Sequence, residues 1–296
     1  MRVITGPSGN VGRELVTLLS TGEDRTACRL ACRHPERLAL PTSDRAAVEA
    51  TQLDFFDRAT WAAALDGVES LFLLFPLPSN RVARQAIIPF LDAAERSGCT
   101  HVVYVSVIGA ERAAVIPHHH VEQALQAHSM RWTILRCGFF MQNLHRTLST
   151  HGFDIAERGE VFVPAGAGRT TFLDARDAAA VAAAALTHPD GHLDRIYHLT
   201  GSQALTMAEV AQLLSIALRE PIRYTHPGLI RFAARLRRRG VGWDTIGFMA
   251  AVYTLTRLGY NQAVTDDVER ILGRPPRTLG AFLHDTAWRW HQRSWT

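Results

Sequence analysis

TGPSGNVG, residues Thr5–Gly12, places Gly6, Gly9 and Gly12 at three-residue spacing near the start of the chain. Arg2–Thr5 reads as a strand, and Val11, Leu15, Leu18 and Leu19 fall at i, i+4, i+7 and i+8, one apolar face of a helix. The glycines therefore stand where a first strand hands over to a first helix. A side chain there would block close approach of a pyrophosphate, while the unpaired N–H groups and the helix dipole favour an anion. A tight turn also needs glycine for backbone reasons alone. Strand before and amphipathic helix after shift the reading to a dinucleotide pocket built on Thr5, Gly6, Ser8, Gly9, Asn10, Val11 and Gly12.

Outward from the turn, β-rich apolar runs at Thr26–Cys32, Glu49–Leu53, Ser70–Phe75, His101–Val105 and Arg131–Arg136 alternate with helical patterns at Arg58–Leu65, Asn80–Ser97 and His119–Ala127. Such spacing predicts α/β architecture, a doubly wound parallel (Rossmann) sheet. Pro89 falls inside the Asn80–Ser97 helix and is expected to kink it or delay its start. After Phe139 the alternation weakens. A helical stretch at Phe140–Ser149, short strands at Val161–Val163 and Thr170–Leu173, a helix at Ala175–Leu186 and a returning strand at Arg195–Leu199 are expected. Residues 1–150, with return segments from about 170–200, form the expected dinucleotide core, and 151–296 a smaller, mainly helical substrate lobe. In that lobe Thr206 and Glu209 make a capping box for Met207–Leu218, and helices follow at Leu229–Arg239, Thr245–Leu258 and Thr278–Trp290.

Composition narrows the chemistry. The chain has 296 residues, 47% of them hydrophobic, and a net charge of +4, enough apolar content for one large core with a smaller lobe. All 32 basic residues are arginine, so no Schiff-base lysine, Walker-type lysine or Tyr-x-x-x-Lys pair exists anywhere in it. The basic excess is too small and dispersed to predict nucleic-acid binding; the cluster Arg235, Arg237, Arg238 and Arg239 reads as a solvated helix end or, alternatively, a phosphate or partner patch. Apolar runs such as Leu71–Leu77 and Ala178–Leu186 fall short of a membrane span. A cytoplasmic protein with no membrane partner is expected, its Cys28, Cys32, Cys99 and Cys137 reduced and mostly buried. No oligomeric state follows from the sequence.

The second strand ends at Cys32, and Arg33 stands about twenty positions beyond the last glycine, where an acid would bind a ribose 2′-hydroxyl. A guanidinium matches phosphate instead, so Arg33, with Arg13 or Arg37, favours NADP(H) over NAD(H). Asp54, Phe55 and Phe56 follow the third strand, beside the expected adenine. Leu74, Phe75 and Pro76, after the fourth, are expected to form the wall toward the nicotinamide. Metal binding at His118–His120 is disfavoured, because consecutive helical residues point about 100° apart.

TGPSGNVG, Arg33, Asp54, VVYVSVIGA (Val102–Ala110), PHHHVEQAL (Pro117–Leu125), WTILRCGFFMQNL (Trp132–Leu144) and FLDARDAAAVAAAAL (Phe172–Leu186) together resemble the NmrA-like family, atypical short-chain dehydrogenase/reductases. The resemblance continues through YHLTGSQALTMAEVAQLLS (Tyr197–Ser215) to LGRPPRTLGAFL (Leu272–Leu283). It implies NAD(P) binding and a range of activities, from quinone, triphenylmethane and isoflavone-type reductases and ergot-alkaloid dehydrogenases to regulators that bind nucleotide without turnover. Ser106 matches the standard class's serine, but the tyrosine–lysine pair is missing. His118 falls where some relatives carry lysine or histidine, and it could hydrogen-bond the nicotinamide ribose or relay a proton. With no general acid, the expected substrate is a small, hydrophobic, conjugated, electron-poor acceptor (quinone, iminium or enone), because hydride addition then delivers charge into a stabilised system. Ser106, His118 and Asn143 are the expected assisting groups, and Gly138, Phe139, Phe140, Met141 and Asn143 the expected lining, with Gly138 and Phe140 beside the cofactor. The competing expectation is a non-catalytic redox sensor whose C-terminal lobe, with Arg235–Arg239, meets a protein partner.

Overall fold

A computed structural model describes residues 1–23, 26–40, 47–75, 79–145 and 150–287. Strands in chain order are β1 Arg2–Thr5, β2 Cys28–Cys32, β3 Val48–Gln52, β4 Ser70–Leu74, β5 His101–Val107, β6 Arg131–Cys137, β7 Phe139–Phe140, β8 Glu160–Val161, β9 Arg169–Leu173, β10 Arg195–Leu199, β11 Ala204–Thr206 and β12 Arg223–Tyr224. Seven of them form one sheet in the order β10-β6-β5-β4-β1-β2-β3. Parallel register joins β1 to β2 (Val3 beside Arg29), β1 to β4 (Val3 beside Leu71), β2 to β3 and β4 to β5. The chain winds from β1 toward β3, then restarts at β4 on the other side, so the switch point of this doubly wound sheet lies between β1 and β4.

The chain divides into two compact units, Met1–Arg136 with Ala178–His198, and Cys137–Asp177 with Leu199–Thr296. In the first, Leu71, Leu73, Val102 and Tyr104 pack with Ile87, Phe90, Val121 and Leu125 from the covering helices. The second has its own core of Phe162, Phe172, Leu214, Phe232, Tyr253 and Phe282, and its own small sheet, β11-β9-β7. The predicted capping box is present there: Glu209 N donates to Thr206 Oγ1 (3.2 Å), and Thr206 N to Glu209 Oε2 (2.7 Å).

Local departures have local causes. Asn80–Val82 opens a helix that widens into a π-type turn at Ala83–Ile87 before Ile88–Arg96. Pro89 lacks the N–H for an ordinary turn and its ring crowds the carbonyl four residues back, so the widening absorbs the predicted kink. The helix expected at His119 begins at Pro117, with proline in its first turn, where no N–H is needed. The helix expected over Phe140–Ser149 is absent where described: Phe139–Phe140 pairs with Phe172–Leu173, and Met141–Leu144 is a single tight turn. Residues 146–149 lie outside the described residues, and Thr150–Arg158 forms a helix that the pattern did not reveal.

Candidate dinucleotide site and its neighbours

At the switch point the three glycines serve three ends. Gly6 has φ +61°, and a Cβ there would come 2.8 Å from Leu74 Cδ2. A Cβ on Gly12 would sit 2.1 Å from the Gly6 carbonyl oxygen, so helix Asn10–Thr21 can rest against the turn only with glycine at that place. Gly9 caps the helix with backbone alone: no side chain accepts from its first N–H groups and no acid stands in its first turn. A cradle without side chains in front of an unneutralised helix N-terminus fits a dinucleotide pyrophosphate. Ser8 is exposed and Asn10 half-buried, whereas Val11 is buried in the core. The Thr5 side chain acts on the sheet. Its hydroxyl donates to Phe72 O (3.0 Å) and accepts from Leu74 N (2.9 Å), locking the ends of β1 and β4 together.

Arg33 is exposed directly after β2. Arg13 and Arg37 lean on the neighbouring carboxylates of Glu14 and Glu36 at 3.6 and 3.7 Å. After β3, Asp54 Oδ1 accepts from Phe56 N (2.9 Å) and its carbonyl takes the Trp61 indole N–H (3.1 Å), which shapes that loop. Phe55 stands edge-on to Phe90 at 5.0 Å and belongs mainly to the core. Leu74 is half-buried beside Gly6, Phe75 is buried against His118 at 4.8 Å, and Pro76 lies outside the described residues.

The end of β5 holds a cluster only partly foreseen. Ser106 is 0% exposed and donates its proton to Glu122 Oε1 at 2.5 Å. Glu122, 3% exposed, also receives Arg136 through Nε (3.2 Å to each oxygen) and Nη2 (2.6 Å). Arg136 Nη1 stands 3.6 Å from Glu111 and 3.4 Å from His198 Nε2. The signal was available: Glu122 shares the apolar face of its helix with His118, Val121 and Leu125, and Arg136 interrupts the apolar strand WTILRC. Buried charges require one another.

The three adjacent histidines go three ways. His119 Nδ1 donates to Ala110 O (2.8 Å), and His120 Nε2 is 3.3 Å from Arg84 Nη2. His118 turns inward between Phe75 and Tyr104, and burial pushes its pKa down to about 3. Burial therefore disfavours the charged imidazole near neutral pH.

In the second unit, Gly138 lies opposite Thr171, whose Oγ1 a Cβ would approach to 2.8 Å; strand packing requires that glycine. Phe139 meets Phe172 edge-on at 5.1 Å, Met141 is buried, and Phe140 and Asn143 are half-buried. Gln142, unforeseen, donates to Asp174 Oδ1 (2.8 Å) and accepts from Ala175 N (3.0 Å). Arg235 and Arg239 are not a solvated end. Arg235 pairs with Asp154 and Glu160 at 2.9 and 2.8 Å, Arg239 with Asp154 at 2.5 Å, so both fasten helix Leu229–Arg238 to its own unit.

Glycine cradle, switch point and strand order define a dinucleotide-binding protein of doubly wound type. Residues 6–189 match the family model described as NAD(P)H-binding, and the chain belongs to that family. It is 34% identical over 288 residues to NAD(P)H azoreductase of Xenophilus azovorans, covering 95% of this chain and 96% of that one. Against (4-alkanoyl-5-oxo-2,5-dihydrofuran-3-yl)methyl phosphate reductase of Streptomyces griseus the identity is 32% over 286 residues, with 94% of each chain covered. The structure of Citrobacter sp. triphenylmethane reductase complexed with NADP(H) superposes with a TM-score of 0.79 at 22% identity, covering 97% of this chain and 99% of that one.

Proposed function

We propose that this protein is an NADPH-dependent reductase of flat, conjugated, electron-poor acceptors: quinones, iminium ions, enones and, by likeness to the azoreductase, azo compounds. The observation that carries the reading is the state of the polar groups at the end of β5. The Ser106 proton is committed to Glu122, the His118 ring is held neutral by burial, and the chain contains no lysine. A ketone without conjugation would need a proton donor as its alkoxide forms; a quinone or iminium takes hydride into a delocalised or neutralised system and needs none.

Bound dinucleotide supplies the hydride. Gly6, Gly9 and the first N–H groups of helix Asn10–Thr21 hold its pyrophosphate, and Arg33, with Arg13 or Arg37 beside it, selects the 2′-phosphate and so NADPH over NADH. Leu74 and Phe75 give an apolar wall that excludes water. Ser106 and His118 act as positioning residues, fixed by Glu122 and by Phe75 and Tyr104, rather than as acid and base. The second unit selects the acceptor, through the apolar Phe139 and Phe140 and the amide of Asn143.

Fluorescence titration with NADPH and NADH, followed by loss of nicotinamide absorbance on a panel of quinone, iminium, azo and simple ketone acceptors, tests this. Tighter NADPH binding and turnover confined to the conjugated acceptors are expected. Binding without turnover on any of them would leave a dinucleotide sensor, and preference for NADH would remove the role given to Arg33.

A further inference from the structure

Helix Leu229–Arg238 has two very different faces. Phe232 and Leu236 are buried, and Arg235 beside them is tied to Asp154 and Glu160. At 3.6 residues per turn, Ile230, Arg231, Ala234, Arg237 and Arg238 fall together in an arc of about 120° on the opposite side, and all five are exposed. Ile230, 86% exposed, lies within that arc between Arg237 and Ala234, and the ring of Trp243, 62% exposed, lies 5.8 Å from the Arg237 guanidinium. The segment Leu229–Trp243 contains five arginines and no acid; Asp244 is the next carboxylate along the chain. Arg239, like Arg235, is neutralised inside the unit by Asp154. Among the described residues Arg231, Arg237 and Arg238 have no carboxylate partner, so the outward charge is uncompensated.

We propose that this face docks the protein reversibly on an anionic lipid surface, contrary to the expectation from the sequence that it has no membrane partner. The chemistry is complementary: guanidinium groups take lipid phosphates, an exposed tryptophan suits the headgroup level, and an isolated isoleucine among cations finds its burial in the acyl boundary. A nucleic-acid backbone would satisfy the arginines and leave Ile230 in water. A second copy related by a two-fold axis would set three arginines against three arginines. Docking of this kind is peripheral; among the described residues no helix is long and apolar enough to cross a membrane. It would bring the protein to the phase in which flat, apolar acceptors dissolve, yet it is read without dinucleotide or acceptor and so stands or falls apart from the proposed reaction.

The test is co-sedimentation of the full chain with phosphatidylcholine vesicles, with and without phosphatidylglycerol. Binding to the anionic vesicles alone, weakening as salt is raised, is expected. The triple variant Arg231→Gln, Arg237→Gln, Arg238→Gln should lose partition by about 100-fold, at about fivefold per arginine, and Ile230→Ser by about tenfold. Trp243→Phe should remove the fluorescence blue shift that vesicles produce. NADPH affinity should be unchanged in every variant, which shows that each is folded. Equal binding to neutral and anionic vesicles, or full binding by the triple variant, overturns the proposal. So does a change in the sedimentation coefficient of the lipid-free variants, which would make the face a contact between copies.

Discussion

The glycine turn and the Ser106–Glu122–Arg136 cluster stand at the same edge of one sheet, at the ends of β1 and of β5 and β6, yet they are built by opposite means. The turn is almost entirely backbone. Its fit depends on the absence of Cβ atoms, and its parts are eight consecutive residues. The cluster is entirely side chain, collected from two strands and the helix Pro117–Ala127, with Glu111 and His198 at its margin. One is partly open to solvent and the other is sealed. The first fits a dinucleotide pyrophosphate; in the second, Ser106, Glu122 and Arg136 are occupied in holding one another.

The comparison can be broken first at the cluster. Glu122→Ala strands the Arg136 guanidinium in a buried site, with an expected loss of about 3–5 kcal/mol in denaturant unfolding. Glu122→Gln, which can still accept from Ser106, should cost less, and a loss no larger than that of a surface substitution would mean the cluster does not hold β5, β6 and the helix. At the turn, Gly12→Ala puts a Cβ where the Gly6 carbonyl stands, and opening the turn should cost about 1–3 kcal/mol together with most of the NADPH affinity. Gly228→Ala, which meets nothing, is the control.

Arg33→Ala sharpens the cofactor side. An NADPH affinity lowered about tenfold with NADH untouched is expected for one charge-assisted contact; equal loss of both dinucleotides would place Arg33 elsewhere in the pocket. Acid sensitivity gives the smallest effect per residue. Burial lowers the folded-state pKa of His118 to about 3 and of His101 and His151 to about 4, from 6.5. Below pH 6.5 the unfolded chain takes up protons that the folded one refuses, so stability is full above that pH and declines as pH falls toward 4, by about 1 kcal/mol per histidine between pH 6.5 and 5.5. His118→Gln should flatten part of that decline in thermal melts.

Sequence pattern reached the architecture because its signals are short in range. The glycine spacing, the Thr206–Glu209 box and the apolar run of each strand all lie within one element or its turn. Pro89 announced a disturbance, though not that it would take the form of a wider turn. The candidate site is legible where it is backbone and obscure where it is side chain: the sequence points to Ser106, but only its burial and its bond to Glu122 reveal that its proton is spent. Arg235 and Arg239 looked like surface charge because Asp154, their partner, lies about eighty residues earlier in the chain. Nothing in MQNL tells that Gln142 reaches Asp174, thirty-two residues further along the chain.

The most direct measurement of the central claim is the pH dependence of kcat/KM for a quinone, with NADPH saturating, in the wild type and in His118→Ala. A profile without a protonation step near neutrality, of the same shape in both proteins, is what a site with no proton donor of its own predicts. An acid limb centred near pH 6–7 in the wild type that disappears in His118→Ala would contradict it and return His118 to the role of general acid.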